Sequence, residues 1–563
     1  RQTGGGGFAM LRGAPVVYEH QEEIRDLLIA EVRRRGVLQP ADFSVQNWRL
    51  EPAAARAAAY AAMHASAFDT PGAVGAAAPA QGRRLRIIAS NDFHGALEAR
   101  ADGNGVLRGG APYFATAIRR AREECVPPAC VSVWLDGGDE FQGTPVSNLG
   151  FGRPVVEVFS RLGLNAAALG NHEFDWGLDT LRARMREAPY PILGANVRDA
   201  TGADVAWIPN DTILDVQGVR IGVVGISTVE TPSATRPTIV AGLRFVDPVP
   251  VVNAHAKALR ARGAQAVVVV AHAGAFCDRA NADSCKGEIV RLAQGITERV
   301  DAIVSGHTHS RVATVVNGIP IVQAYSSGSA IGVIDVPLGG GTPSVTVRNV
   351  RPDSLPADSA IAALTTALLS TTAAHFREPV AVVAERMETG TRGTLGNLIA
   401  DAQRWAGGGD VAIMNRGGLR AALPAGTVTR GSLFEVQPFG NALVRISLRG
   451  AELRSWLERL ASRDDVNFFL SGVRVVVDST KPAGHRIVKV TLSDGRVLDE
   501  RRVYRLVMSD FLAVGGDGLN LTERAIAVEE LKLVDVDVLE RYLGSRPSPV
   551  RAPTDARLVP LGK

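Results

Sequence analysis

The residues of this chain that could do chemistry stand in short motifs of one kind. Asp92 and His94 lie in SNDFHG, Asp139 in GGDEFQGTP, and Asn171, His172 and Asp175 in GNHEFDWG. His272 closes the run VVVVAH, and His307 and His309 lie in SGHTHS. These are oxygen and nitrogen donors with no cysteine among them, a set that suits Zn²⁺, Mn²⁺ or Fe rather than a metal preferring thiolates. Two ions about 3.5–4 Å apart need a shared ligand. Asp139, the carboxylate that follows the Gly-Gly turn, is the natural bridge. The chemistry such a pair supports is in-line attack of a metal-bound hydroxide on a phosphate ester. His172 is the candidate catalytic imidazole, and Asp175, three residues on, can hold its ring in one tautomer if Glu173 begins a helical turn.

Taken singly, each residue has a plain structural explanation. His272 could be a satisfied core histidine, Asp92 with His94 a turn cap, and Asp139 an Asx turn. Repetition decides between the readings, because every one follows a short apolar run. Those runs are Leu85 to Ser90, Val131 to Leu135, Ala166 to Leu169, Val267 to Ala271 and Ala302 to Ser305. Two further runs, Ile192 to Ala195 and Ile221 to Ile226, end without a ligand. Such runs alternate with amphipathic helical stretches, the signature of a layered α/β fold. Asp, His and Asn at five strand ends converge on one rim if the strands lie in one sheet, and Gly170 lets the chain turn sharply at the third.

The 563 residues exceed one ordinary core. Hydrophobic residues make up 46% and charged residues 21%, as expected of soluble globular protein. A formal charge of +4, with no Lys/Arg block interleaved with aromatics, argues against a nucleic-acid surface. No apolar run reaches the roughly 18 residues of a membrane-spanning helix. The four cysteines form two close pairs, Cys125 with Cys130 and Cys277 with Cys285. Neither has zinc-site spacing. Each could close a short loop as a disulfide in an oxidising compartment, the alternative being free thiols in a reducing one.

Residues 1–83 read as an extension and linker, Ala-rich and then Pro/Gly-rich, with an Ala-Ser-Ala similar to a secretory cleavage site. Residues 84–350 form the domain that carries the metal motifs. Residues 351–380, with a helix over Asp358 to Phe376, read as a linker. Residues 381–545 mix helices such as Leu395 to Trp405 with strands such as Val473 to Val477 in a second α+β domain. The Pro-rich residues 546–563 read as a loose tail.

The motif series resembles that of the calcineurin-like metallophosphoesterases. In the second half LGNLIADAQ, NRGGLR, QPFGN and FLAVGGDGLN are similar to the C-terminal domain of the 5'-nucleotidase family, over roughly residues 84 to 545. The resemblance implies a four-layer α/β/β/α sandwich followed by a smaller α+β domain, acting on a small nucleotide in the periplasm or outside the cell. It places one ion among Asp92, His94, Asp139 and His309, and a second among Asp139, Asn171, His272 and His307. His172 would stabilise the transition state or protonate the leaving oxygen. Asn415 and Arg420 match substrate contacts, Phe439 and Phe511 the aromatics that sandwich the base, and Asp517 a carboxylate near the ribose or base. Arg392 is the nearest match to a further substrate arginine, and Arg416 stands where the family commonly has glycine. The implied reaction is removal of phosphate from nucleoside 5'-monophosphates. Alternatives are a 2',3'-cyclic phosphodiesterase with 3'-nucleotidase activity, a UDP-sugar hydrolase, or a nucleotide-binding surface protein without catalysis. Ligands drawn from both halves also imply a hinge near the linker helix.

Overall fold

The computed structural model describes residues 82–102, 105–277, 284–370, 376–390, 394–462, 468–518 and 521–561. All lie within one compact unit, Ala78–Lys563. The N-terminal extension, its cleavage-like Ala-Ser-Ala and Arg392 fall outside the described residues.

Four strands open the first half: β1 (Arg84–Ser90), β2 (Cys130–Asp136), β3 (Ala166–Ala168) and β4 (Ile192–Leu193). Six more follow: β5 (Asp211–Val216), β6 (Val219–Ser227), β7 (Ala266–His272), β8 (Ala302–Ser305), β9 (Arg311–Val316) and β10 (Ile319–Ala324). The chain then returns through β11 (Ala330–Pro337) and β12 (Ser344–Asn349). They do not form one sheet. One six-stranded sheet runs β12-β11-β1-β2-β3-β4 and a second runs β9-β10-β8-β7-β6-β5. In each, the ligand-bearing strands pair in parallel; both edges of the second sheet and the β11-β12 side of the first are antiparallel, while β4 closes the first sheet's other edge in parallel.

Alternation along each strand explains the stacking. Leu85, Ile87, Val131, Val133, Val268, Val270 and Val304 from the two sheets share one core between them. Ile88 and Trp134 point the other way, onto helices Ala111–Glu123 and Arg153–Leu162. Val267, Val269 and Ile303 face helices Pro248–Ala261 and Glu288–Gly295. A strand covered on both faces must be apolar throughout, hence the unbroken Val and Ile runs. The result is the expected α/β/β/α sandwich.

The second half holds a five-stranded sheet. Its strands are β13 (Val411–Asn415), β14 (Ala442–Arg449), β15 (Phe468–Ser471), β18 (Val503–Ser509) and β19 (Ala527–Val534), in the order β15-β13-β18-β14-β19. Strands β16 (Val473–Val477) and β17 (Ile487–Leu492) pair with β20 (Leu558–Pro560) in a smaller sheet. Helices Thr394–Gly407 and Asp535–Gly544 share one core with the larger sheet, and Gly450–Ser462 covers its other face.

Two boundaries move. The linker helix, Ser359–Ser370, packs Ile361 into the core of the first half, and the second half begins with Pro379–Val383 paired to Gly426–Thr429. The C-terminal segment is not loose. Val550 bridges to Val383, β20 adds to β16, and the buried Arg557 guanidinium donates to both carboxylate oxygens of Asp401, at 2.9 and 2.8 Å, and to the Leu470 carbonyl. A bidentate buried pair and added strand bonds outweigh the proline content. Both cysteine pairs, Cys125–Cys130 and Cys277–Cys285, are disulfide-bonded. No helix among the described residues is long and apolar enough to cross a membrane.

Candidate active site

The motifs that end β1, β2, β3, β7 and β8 meet where the carboxyl ends of the two sheets come together, so the rim is shared by two sheets and not provided by one. Asp92 Oδ1 lies 3.3 Å from His309 Nε2, and Asp139 Oδ2 lies 3.1 Å from His272 Nε2 and 3.9 Å from His94 Nε2. His272 Nε2 is also 3.1 Å from Asn171 Oδ1 and 3.3 Å from His307 Nδ1. The carboxylate and imidazole atoms fall into two groups, Asp92 with His94 and His309, and Asp92 with Asp139 and His272, each within 4.8 Å. All seven predicted ligands are therefore in one cluster.

Local backbone explains how they are aimed. Asp92, His94, Asp139, His307 and His309 all have positive φ, between 49° and 80°. Side-chain-bearing residues avoid that region, and such conformations gather at functional sites. Gly170 does not share it: the turn there needs glycine because a Cβ would lie 2.2 Å from Asp139 Oδ1. Close approach, not a left-handed turn, is its reason.

The hydrogen bonding bears on whether this set fits divalent cations. His94 Nδ1 faces the Gln142 carbonyl at 2.7 Å and His272 Nδ1 the Gly137 carbonyl at 2.9 Å, so each Nε2 is left to present its lone pair inward. His307 is turned the other way, with Nε2 3.3 Å from Glu230 and Nδ1 inward. Outer partners of this kind orient metal ligands. His94 Nε2 and His309 Nε2 stand 3.0 Å apart, and the Arg420 guanidinium reaches both, at 3.1 and 3.4 Å. A cation already sits where those lone pairs converge. Burial and then Arg420 hold His94 well below its usual pKa, which keeps it a neutral donor. Burial alone would raise Asp92, but the neighbouring His309 and His272 outweigh it and hold the carboxyl at about 2. A neutral His94 beside ionised carboxylates suits hard or borderline divalent cations. At His272 burial lowers the ring, but Asp139 and Asp92 outweigh it and raise it to about 10, so it must release a proton to ligate one.

His172 opens a short 3₁₀ turn, His172–Phe174, and its Nδ1 lies 2.7 Å from Asp175 Oδ2. Thr235 Oγ1 donates to the other Asp175 oxygen at 2.8 Å. The Phe439 ring, from the second half, stacks on the His172 ring with centroids 5.4 Å apart and 30° between planes. One cavity is lined by Asp139, Asn171, His172, His307 and His309 on one side and Asn415, Arg420, Phe439, Phe511 and Asp517 on the other. Asn415 Nδ2 donates to Asp517 Oδ2 at 2.9 Å.

Several residues here were not singled out from the sequence, although Trp176, Asn441 and Gln142 stand inside motifs quoted above. Trp176, Arg236 and Asn441 line the cavity, and Gln142 lines it with a buried side-chain amide that has no partner among the described residues. Glu173 is the largest omission. Its buried carboxylate accepts from the backbone N–H of Gly170 (2.9 Å), Asp139 (3.0 Å), Glu140 (2.9 Å) and Phe141 (3.4 Å), tying the second ligand loop to the third. Its place beside His172 in GNHEF was the available hint.

Residues 85–311 match the calcineurin-like phosphoesterase family and residues 370–524 match the 5'-nucleotidase C-terminal domain. The chain thus joins a calcineurin-like phosphoesterase domain to a 5'-nucleotidase C-terminal domain. As such it is a metal-dependent phosphoric ester hydrolase, and its fold implies divalent metal cofactors. The crystal structure of a 5'-nucleotidase precursor from Thermus thermophilus superposes with a TM-score of 0.74 at 27% identity, covering 85% of this chain and all of that one. A snake venom 5'-nucleotidase from Gloydius brevicauda is 26% identical over 520 residues, 82% of this chain and 86% of that protein. Endonuclease YhcR from Bacillus subtilis is 30% identical over 466 residues, 77% of this chain. This chain spans only 37% of that relative's length.

Proposed function

We propose that this protein is a dinuclear-metal phosphohydrolase that removes phosphate from nucleoside 5'-monophosphates by in-line attack of water on phosphorus. The observation that carries the reading is the shared cavity. The donor cluster of the first half faces Arg420 and Phe439 of the second across the His172 ring. Asp92, His94, Asp139 and His309 would hold one ion and Asp139, Asn171, His272 and His307 the other, with Asp139 between them. Bound divalent ions lower the pKa of the attacking water and offset charge on the phosphoryl oxygens.

The chain's own residues do the rest. Phe439 and Phe511 give the base flat apolar surface, and Asn415 with Asp517 offers polar partners to the ribose. Arg420, freed from His94 and His309 once cations take its place, is a fork suited to phosphoryl oxygens. His172 faces the leaving oxygen. Asp175 fixes its tautomer, so that Nε2 can pass a proton to that oxygen. Two disulfides are consistent with export to an oxidising compartment, periplasmic or extracellular.

The test is metal content on the preparation used for a panel of AMP, 2',3'-cyclic AMP and a UDP-sugar. The expected result is two ions per chain and fastest turnover of AMP. One ion per fully active chain would remove the dinuclear part. Turnover of the cyclic nucleotide or UDP-sugar without phosphate release from AMP would remove the substrate assignment.

A further inference from the structure

A second cavity, of about 870 Å³, adjoins the first and shares His307, His309, Arg420 and Asp517 with it. Nothing in the monophosphate reading uses the rest of its lining, which includes Phe276 and Arg291 from the first half and Arg416 and Phe468 from the second. The acidic side chains there are already engaged. Glu230 faces His307, Glu288 accepts from Thr228 Oγ1 at 2.6 Å and from the Val229 N–H at 3.1 Å, and Asp517 accepts from Asn415 Nδ2 at 2.9 Å. The Arg416 guanidinium makes no ion pair among the described residues.

Phe276 is 66% exposed, and an exposed aromatic by itself means little. This one is held rigidly beside the donor cluster. It lies on the hairpin Ala275–Cys277 with Cys285–Gly287, closed by the Cys277–Cys285 disulfide. The Ala275 carbonyl accepts from Thr308 Oγ1 at 3.0 Å and from Ser310 Oγ, and a Cβ on Gly274 would lie 2.4 Å from the Gly306 carbonyl. The hairpin is thus pressed onto the loop that carries His307 and His309. Keeping such a ring in water on a braced support forgoes the burial free energy that a flexible one could recover by folding back. Phe468 lines the same cavity from the other half, so the space beyond the donor cluster repeats the pattern of the first cavity: an aromatic ring and a guanidinium.

A phosphate monoester has nothing to place there, because beyond its leaving group it carries only oxygens. A phosphodiester has a second arm. When one ester oxygen leaves in line, the other stays equatorial and its substituent must occupy space beside the metals. We propose that this cavity binds the second nucleoside of a small dinucleotide, its base on Phe276, and that dinucleoside monophosphates are a second substrate class. The proposal rests on the nucleotidase reading only for where the first nucleoside sits. In the step, a water oxygen bonds to phosphorus, the bond from phosphorus to one nucleoside oxygen breaks, and that oxygen takes a proton. With its 5'-linked nucleoside in the first cavity as the leaving group, a 3',5'-linked diadenosine monophosphate gives adenosine and adenosine 3'-monophosphate. The absence of a basic surface with interleaved aromatics in this chain favours a short ligand over a polynucleotide.

The experiment uses the full metal-loaded chain with three substrates: AMP, the methyl ester of AMP, and 3',5'-linked diadenosine monophosphate. The methyl ester has the same diester bond without a second ring. The dinucleotide is expected to exceed the methyl ester at least about tenfold in kcat/KM. Phe276→Ala should lower kcat/KM for the dinucleotide about 5- to 100-fold, the usual effect of removing one base stack. It should leave AMP and the methyl ester within about twofold, and Phe276→Trp should restore the loss. Calorimetric binding of the dinucleotide to metal-stripped protein should weaken by a similar factor in Phe276→Ala. A dinucleotide no better than the methyl ester, or equal losses on all three substrates, would overturn the proposal. So would a single-stranded dodecamer cut with a higher kcat/KM than the dinucleotide, which would assign the cavity to a polynucleotide. If AMP is inert while the dinucleotide behaves as expected, the monophosphate reading fails and the second-arm site stands.

Discussion

In the first half the candidate ligands leave buried strands, five of them at positive φ, and Asp92, Asp139 and His272 are at most 1% exposed. The outer ring nitrogens of His94 and His272 face backbone carbonyls and that of His307 faces Glu230, and Glu173 ties two of the ligand loops together through four N–H groups. In the second half Arg420, Phe439, Phe511 and Asp517 are only partly buried and sit on loops or short turns beyond strand ends. Phe439 touches the first half through a ring stack on His172, and the neighbouring Pro438 carbonyl accepts from Asn148 Nδ2 at 2.7 Å. The difference separates two demands. Positions that hold charge in a dry site must be fixed to a few tenths of an ångström, and the fold spends backbone strain to fix them. Groups that grip an exchangeable ligand need only a surface and can stay adjustable.

Substitutions should fall into classes along the same line. Asp139→Ala removes the carboxylate between the two proposed ions and should be the most damaging, costing on the order of 10⁴-fold in rate together with bound metal. Phosphate release and metal analysis on one sample check it, and an active, metal-replete variant would break the contrast between the halves. His172→Ala should keep its metal and lose roughly 10²- to 10⁴-fold in kcat, since only proton transfer is touched. Loss of metal there would mean that His172 belongs to the cage. Phe439→Ala should act on the grip alone. KM for AMP should rise about 5- to 100-fold, while turnover of p-nitrophenyl phosphate, which has no base to stack, stays near the parent value. A matching loss on both substrates would show that Phe439 serves by supporting His172.

The first half was the more legible of the two, for a physical reason. A strand buried on both faces leaves a continuous apolar run, and a ligand at its end stands out, so β8 falls on the predicted residues and β1, β2 and β7 extend one residue beyond theirs at each end or at one. Strands β5, β9 and β12 left no such mark. They are partly exposed, mix polar with apolar residues and carry no ligand at their ends. Whether the central strands formed one sheet or two could not follow from the runs, since both arrangements bury both faces. Positive φ at Asp92 or His307 is invisible in composition, as is the clamp by Glu173, three of whose four partners lie more than thirty residues away in sequence. In the second half, Phe439 and Phe511 look like ordinary core residues, and only the resemblance singled them out. The tail was misread because a one-residue bridge at Val550, a three-residue strand and one buried arginine, Arg557, hold it, and anchors that short leave no periodic pattern.

The smallest predicted effect concerns what supports the grip. Asn441 lines the first cavity two residues after Phe439. Its carbonyl accepts from the Asp535 N–H at 2.9 Å, and its amide donates to Asp535 Oδ2 at 3.3 Å. Asp535 is buried, and burial pushes its carboxyl up to about 7 against the bonds from the Val536 N–H and Asn441, with Asp510 adding to the rise. The folded state therefore binds this proton more tightly than the unfolded chain, whose aspartate titrates at about 3.9. The stability that Asp535 contributes is complete below that unfolded value and is lost as pH rises through 7. An asparagine side chain at this position would resemble the protonated form at every pH. Asp535→Asn should therefore gain on the parent as pH is raised from about 5 to about 8, by a few degrees in Tm, with little difference at about pH 4. Differential scanning fluorimetry of both proteins over that range decides it. A difference in Tm that does not change with pH would show that Asp535 stays ionised in the fold, held so by the helix N-terminus on which it sits.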